Sequence, residues 1–227
     1  MTKIKFIGII PARGGSKSIT LKNVKQINNK PLINYSIESA LKSKVFDYII
    51  VSTDHKKIKK ISSKYKKLII FDRSKKISTD SATTEVVVED VLRKIKNQKN
   101  YIPDWIFILE PTSPLRSVET IKKAKNLILN KKNFNSLISI KNIEHDPAKL
   151  KKNKLNFIFK RTNNRKDRIP LYCETSTLYC VKNRYFLKRK KIVENNPLGF
   201  LIPKIECIDI NDIEDFKIAE KILKNKK

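Results

Sequence analysis

At 227 residues with 40% apolar side chains, the chain is long enough for one sizeable α/β core and too apolar for disorder. Its net charge of +29 invites a nucleic-acid reading, but the lysines are spread through every segment and aromatics do not interleave with them, which argues against specific nucleic-acid binding while leaving a field that attracts polyanionic substrates. No run approaches the ~18 apolar residues of a membrane span, the three cysteines (Cys173, Cys180, Cys207) lack the paired spacing of a zinc or disulfide framework, and Met1-Thr2-Lys3 leads into a core strand without room for a signal peptide, so a cytoplasmic protein without membrane association is expected.

The first strand is the apolar run Phe6 to Ile10. It ends in Pro11-Ala12-Arg13-Gly14-Gly15-Ser16-Lys17, a small-residue loop with two cations, followed by Leu21-Lys22-Asn23. Glycines that let the backbone come close, flanked by cations at a strand end, form a place to hold a polyphosphate. The loop is neither the ATPase P-loop nor the dinucleotide fingerprint, because both spacings are absent.

Strand-like and helix-like segments then alternate. Pro31 to Lys42 reads as a helix, Asp47 to Val51 as a strand ending at Ser52-Thr53-Asp54, and His55 to Lys64 as a helix. Leu68 to Phe71 is the third strand, and Thr83 or Thr84 caps a helix through Val91 with Glu85 in its first turn. Trp105 to Leu109 is the fourth strand, Val118 to Leu129 a helix and Ser136 to Ile140 the fifth strand. From His145 to Pro170 the pattern breaks into Lys- and Asn-rich sequence with one extended stretch at Leu155 to Phe159, read as an inserted hairpin or arm. Alternation resumes at Thr177 to Val181; a Lys-rich helix follows, Ile205 to Ile210 reads as a late strand, and Asp212 caps a final helix whose apolar face is Phe216, Ala219, Ile222 and Leu223.

This alternation implies a mostly parallel sheet covered on both faces, with ligands at the carboxyl ends of its strands. Those ends carry Arg13 to Lys17, Ser52-Thr53-Asp54, Asp72-Arg73 and Glu110-Pro111-Thr112-Ser113-Pro114. Polar and charged groups therefore cluster where a site belongs.

With these residues in view, the chain resembles the acylneuraminate cytidylyltransferase family, the CMP-sialic acid synthetases and their relatives for other nonulosonic acids. The matching stretches are Ile10 to Lys17, Leu21-Lys22-Asn23, Ile50 to Asp54, Glu110 to Arg116 and Ile208-Asp209-Ile210, in the family's order along nearly the whole chain. The resemblance implies a Rossmann-like three-layer α/β/α domain of the nucleotidyltransferase (glycosyltransferase-A-like) type over residues 1–227, with an inserted dimerisation arm at about 145–175 and a homodimer. It implies a reaction between CTP and an acidic nine-carbon α-keto acid sugar that gives CMP-sugar and pyrophosphate, assisted by Mg²⁺. Cytidylyl transfer to an octulosonic acid or another sugar, and a nucleotide-binding member without turnover, stay open as alternatives.

Carried over residue by residue, the resemblance gives Arg13, Ser16, Lys17 and Lys22 to the triphosphate, with Arg13, Lys17, Lys22 and Asp209 as the catalytic set. It gives Asn23 and Arg73 to the nucleotide, the backbone near Ala82 to cytosine and Thr84 to the ribose. Asp209, with Asn211 beside it, falls at the metal, while Glu110, Arg165 and Tyr179 face the sugar. Departures gather on the acceptor and metal side. Glu110 stands where Gln is frequent, Thr175-Ser176-Thr177 replaces Asn-Gly-Ala, Asn211 replaces a second Asp, and Lys166 replaces a Gln.

Overall fold

The computed structural model describes residues 3–159 and 169–225. Its centre is a seven-stranded sheet in the order β11-β7-β10-β6-β1-β4-β5. The strands are β1 (Phe6–Pro11), β4 (Tyr48–Thr53), β5 (Leu68–Asp72), β6 (Trp105–Ile108), β7 (Ser136–Ile143), β10 (Leu171–Lys182) and β11 (Leu198–Leu201). β10 runs antiparallel to both its neighbours, while the other pairings are parallel. Two short ribbons stand apart: β2 (Gln26–Ile27) with β3 (Lys30–Pro31), and β8 (Ala148–Lys151) with β9 (Lys154–Phe157).

Alternation along β1 divides the core between the two faces of the sheet. Phe6 and Ile10 pack with α1 (Leu32–Ser43), α2 (Lys56–Ser62) and α4 (Val118–Asn130) through Ile33, Ile37, Ile58, Ile121 and Ala124. Ile7 and Ile9 face α3 (Thr84–Lys99) and α5 (Asn183–Arg189) through Val88, Val91, Ile95 and Phe186. Each fully buried Ile or Phe contributes ~1.5–3 kcal/mol, so β1, buried on both faces, anchors the loop that follows it. A third cluster joins Ile19, Ile27, Leu32 and Ile210 to Phe216 and Ala219 of α6 (Ile213–Lys224). It fixes the far end of the same loop against the segment bearing Asp209.

Beyond shifts at strand ends, of which the start of β10 at Leu171 instead of Thr177 is the largest, three differences from the sequence reading bear on the site. The Thr83-capped helix continues to Lys99, because Leu92 and Ile95 extend the stripe of Val88 and Val91 by another turn, and the Thr83 side chain makes no capping bond. Ile205 to Ile210 is not a strand. Pro203 opens a 3₁₀ turn over Lys204–Cys207, and the residues beyond it are held through the Ile210 amide on the Thr112 carbonyl at 2.9 Å. The edge position beside β7 belongs to Leu198–Leu201, a run in which Gly199 masked the strand signal. At the final helix the capping box is formed in full by Asp212 and Asp215. Among the described residues no helix is long and apolar enough to cross a membrane.

Candidate active site

The loop after β1 is held from both sides. The Gly14 amide donates to Asp54 Oδ1 at 2.8 Å, and Asn23 Nδ2 donates to the Arg13 carbonyl at 2.9 Å. Gly14 is required by space: a Cβ there would lie 2.6 Å from the His55 ring, whereas one on Gly15 would meet nothing within 4 Å. His55 cannot swing aside freely, because its Nδ1 caps α2 by accepting the Lys57 amide. Gly14→Ala is therefore expected to cost ~1–3 kcal/mol, the usual penalty of overpacking, and Gly15→Ala close to nothing; urea unfolding of the two variants checks the contrast.

The loop presents its cations to a common point. Arg13 reaches Asp80 Oδ1 at 2.6 Å and Lys17 reaches Asp80 Oδ2 at 2.9 Å. Two side chains four positions apart thus grip one carboxylate, which demonstrates that they converge on a single anionic group. The Asp80 carboxyl is held below its ordinary range by the Lys17 bond first and then by Arg13. Ser16 sits half-buried between them.

Lys22 turns the other way. Its Nζ donates to the Ile210 carbonyl at 2.6 Å and to the Asn211 carbonyl at 3.2 Å. Burial lowers its pKa, opposed by Asp209, Asp215 and Asp212. Lys22 therefore staples the phosphate-type loop to the Asp209 segment, 188 residues away in sequence.

Beyond these cations lies a cavity of about 540 Å³ lined by Thr84, Glu110, Glu174, Tyr179, Lys191 and Asp209, among others. Strand order explains the company. Glu110 follows β6, while β10, entering antiparallel from the same edge, delivers Glu174 and Tyr179. The Tyr179 hydroxyl is pushed up to about 12 by burial and by the Glu174, Glu110 and Asp209 carboxylates. The Glu110 carboxyl is pushed up to about 7, mainly by burial; Arg116 and Arg73 oppose the shift and Asp209 adds to it.

A carboxyl raised in this way favours the folded state only while protonated. The folded protein holds the Glu110 proton more tightly than the unfolded chain, whose group sits near the ordinary 4.5. Its contribution is complete below pH 4.5 and is lost as pH rises to about 7. Stability measured in chelator is therefore expected to fall through that window more steeply in the wild type than in Glu110→Gln. The difference between the two pH profiles is the readout, since depressed carboxyls such as Asp47 and Glu194 titrate equally in both.

Of the other residues expected at the site, Arg73 lies buried below the loop, bonding the Ser52 hydroxyl at 3.4 Å and the Ser52 carbonyl at 3.3 Å. The Ala82 amide is used within its own turn, on the Thr79 carbonyl at 3.3 Å. Arg165 and Lys166 lie outside the described residues. Asp80, Glu174 and Lys191 are not among the site residues expected from sequence, while Ser176 falls in the stretch marked there as a departure; Lys191 gives no local signal, being one lysine in a lysine-rich stretch.

The donor set can be tested against a divalent cation. Asp209 Oδ1 is buried without a hydrogen-bond partner, an arrangement that is costly unless a cation or donor completes it. Asn211 is exposed, and its amide donates to the Asp209 carbonyl at 3.4 Å. Among the described residues no cluster of three or more His, Cys, Asp or Glu could hold a metal alone. Mg²⁺ needs no such cage, since one or two carboxylates plus substrate phosphates suffice. Asp209 fits that requirement.

A mostly parallel sheet with one reversed strand, a cation-bearing loop after β1 and a carboxylate cavity beside it define an α/β protein of the nucleotidyltransferase type. The sequence profile described as "Cytidylyltransferase" matches residues 7–201, and the chain belongs to that family. It is 31% identical to a pseudaminic acid cytidylyltransferase of Campylobacter jejuni, over 97% of each chain. It is also 31% identical to a CMP-N,N'-diacetyllegionaminic acid synthase of Legionella pneumophila, again over 97% of each. Among solved structures, a CMP:2-keto-3-deoxy-manno-octonic acid synthetase complexed with CTP superposes with a TM-score of 0.74 at 12% identity, covering 98% of this chain and 100% of that one. This last likeness is one of fold.

Proposed function

We propose that the protein joins CMP from CTP to a nonulosonic acid, a nine-carbon α-keto acid sugar, and releases pyrophosphate. The observation that carries this reading is the convergence of Arg13 and Lys17 on one carboxylate, in a loop that Lys22 ties to the segment whose Asp209 lines the cavity with a partnerless oxygen. In the transfer, the anomeric hydroxyl oxygen of the sugar forms a bond to the α-phosphorus in line with the leaving oxygen. The bond from α-phosphorus to the bridging oxygen breaks, and pyrophosphate carries away the electron pair; the hydroxyl proton is lost to solvent or a nearby base.

Such a reaction asks the protein for positioning and charge rather than covalent chemistry. Arg13, Ser16 and Lys17 hold the triphosphate, Lys22 joins them by turning from the Ile210 and Asn211 carbonyls, and Asp80 yields its cations to the incoming phosphates. Asn23, Arg73, the backbone near Ala82 and Thr84 take the nucleoside. Glu110, Arg165 and Tyr179 face the sugar, where an arginine suits its carboxylate through a bidentate pair. When bound, Mg²⁺ supplies positive charge to the phosphate oxygens, and Asp209 is the residue that would hold it, with Asn211 as a neutral neighbour.

Full-length similarity to enzymes named for pseudaminic and legionaminic acids supports a nonulosonic acceptor over an octulosonic one. The family resemblance implies a homodimer, and exposed apolar side chains at Leu150 and Leu155 in the β8–β9 hairpin support that reading. Residence in the cytoplasm, where CTP is made, completes the reading. The test is pyrophosphate release from CTP and Mg²⁺ with N-acetylneuraminate, legionaminate, pseudaminate, a non-acylated nine-carbon acid and an octulosonate. Turnover with a nine-carbon acid is the expected result. Turnover with the octulosonate alone, or with none while CTP still binds, overturns it.

A further inference from the structure

Strand β10 crosses the acceptor side of the cavity irregularly. Glu174 pairs with Ile140 of β7 and Tyr179 pairs with Ile138, so five steps on β10 are matched by two on β7. The parity of this mismatch matters. In a regular strand side chains alternate, so residues five apart point to opposite faces. Their β7 partners, two apart, share a face. The bulge therefore brings Glu174 and Tyr179 to one side, and both line the cavity together with Ser176.

A bulge takes backbone groups out of the sheet ladder, and buried groups of that kind need other partners. One residue supplies them. Ser139, fully buried between Ile138 and Ile140, accepts the Leu178 amide on its Oγ at 2.9 Å. The same Oγ lies 3.1 Å from both the Thr175 and the Leu178 carbonyls and 2.7 Å from Thr175 Oγ1. A hydroxyl carries one proton, so Ser139 Oγ donates to one of the two carbonyls at a time while accepting from the Leu178 amide and the Thr175 hydroxyl. The outer side of the bulge is fixed as well. Arg116 donates to the Thr177 carbonyl at 2.7 Å, and Thr177 Oγ1 donates to the Glu206 carbonyl at 2.8 Å.

We propose that Ser139 is a positioning residue for the acceptor sugar: its hydroxyl clasps the β10 bulge that turns Glu174, Ser176 and Tyr179 onto one wall of the cavity. The acceptor's identity rests on the cytidylyltransferase reading above; the clasp does not. Ser139 touches neither the Arg13–Lys17 loop nor its partners among these bonds, so its removal should separate the two substrates. Hydroxyls at Thr175 and Ser139 also give a physical account of Thr175-Ser176-Thr177 at this point of the strand.

The test compares wild type with Ser139→Ala, and with Thr175→Val as a second variant that removes the clasp's other hydroxyl should the first fail to fold. Hydrogen exchange of peptides spanning 174–179 is expected to accelerate about tenfold, as befits loss of a buried hydrogen bond. KM for the sugar is expected to rise about tenfold or more, with KM for CTP within about twofold, because misplacing one substrate's wall leaves the other's site intact. Unchanged exchange at 174–179 overturns the clasp, and equal rises in both KM values overturn the positioning role. If the wild type turns over no nonulosonic acid, the functional reading fails and takes the acceptor role with it, while exchange on the same samples still decides the clasp.

Discussion

Arg13→Ala is expected to lower kcat/KM for CTP by about 10²–10³-fold, ~2.7–4 kcal/mol, the loss seen when one preorganised donor to a developing charge is removed. Lys17→Ala is expected to do the same toward the lower end of that range. The ordering follows from their surroundings. The Arg13 side chain is 32% exposed and its backbone carbonyl is held by Asn23, whereas the Lys17 side chain is 83% exposed and held only by its ion pair with Asp80. A guanidinium in a fixed place loses little entropy on gripping phosphate, while an exposed ammonium is flexible and screened by salt. The general field of a chain with net charge +29 is nearly unchanged by either substitution, so encounter with CTP should persist and the loss should fall mainly on kcat. Steady-state pyrophosphate release with CTP titrated at saturating sugar measures both. Near-normal turnover in both variants would remove the triphosphate from this loop.

The loop was legible in sequence because its signal is local. An unbroken apolar run, two glycines and two cations within a few positions need nothing from the rest of the chain, and the structure places Ile7, Ile9 and Ile10 in the core directly before the loop. Asp80 was not legible as its partner, since nothing in a Ser- and Thr-rich stretch marks one carboxylate as the one that meets Arg13. The segment from Ile205 to Ile210 misled because its alternation is that of a strand, yet Pro203 and the bond from Ile210 to Thr112 seat it on a loop instead. Its Asp209 still lines the cavity, although the element that carries it is a loop and not a strand. The bulge of β10 was illegible for a deeper reason. Its length is set by register against β7, and register is a property of two strands, neither of which announces it. The buried Arg116, donating to Glu110, Thr177 and Ser36, belongs to the same class: its stretch carries part of the family resemblance, but its structural use depends on two distant positions, Ser36 and Thr177.

Asp209→Asn is expected to abolish metal-dependent turnover, by about 10²–10³-fold or more, while leaving the fold intact or slightly firmer. The two effects have one cause. Asp209 Oδ1 is buried with no hydrogen-bond donor, and its charge lies close enough to Glu110 to raise that carboxyl's pKa. In the protein without a cation this charge is a burden, so an uncharged group of the same shape relieves repulsion. The compensating loss is at Lys22, whose charged form Asp209 supports, although its two carbonyl bonds remain. With Mg²⁺ and CTP the balance reverses, because a hard cation binds through charged oxygen and the amide oxygen of Asn offers it far less. Several kcal/mol of charge stabilisation then disappear from the transition state. Two measurements on one preparation decide the matter: a Mg²⁺ titration of pyrophosphate release, and thermal unfolding in chelator. Lost turnover with an unchanged or raised melting temperature places the cation at Asp209, and an unchanged Mg²⁺ titration moves it elsewhere. Asn211→Asp supplies the opposite sign. It adds a carboxylate two residues along the chain, at an exposed position, and should lower the Mg²⁺ concentration needed for half-maximal rate if the neutral side chain is what weakens that end of the site.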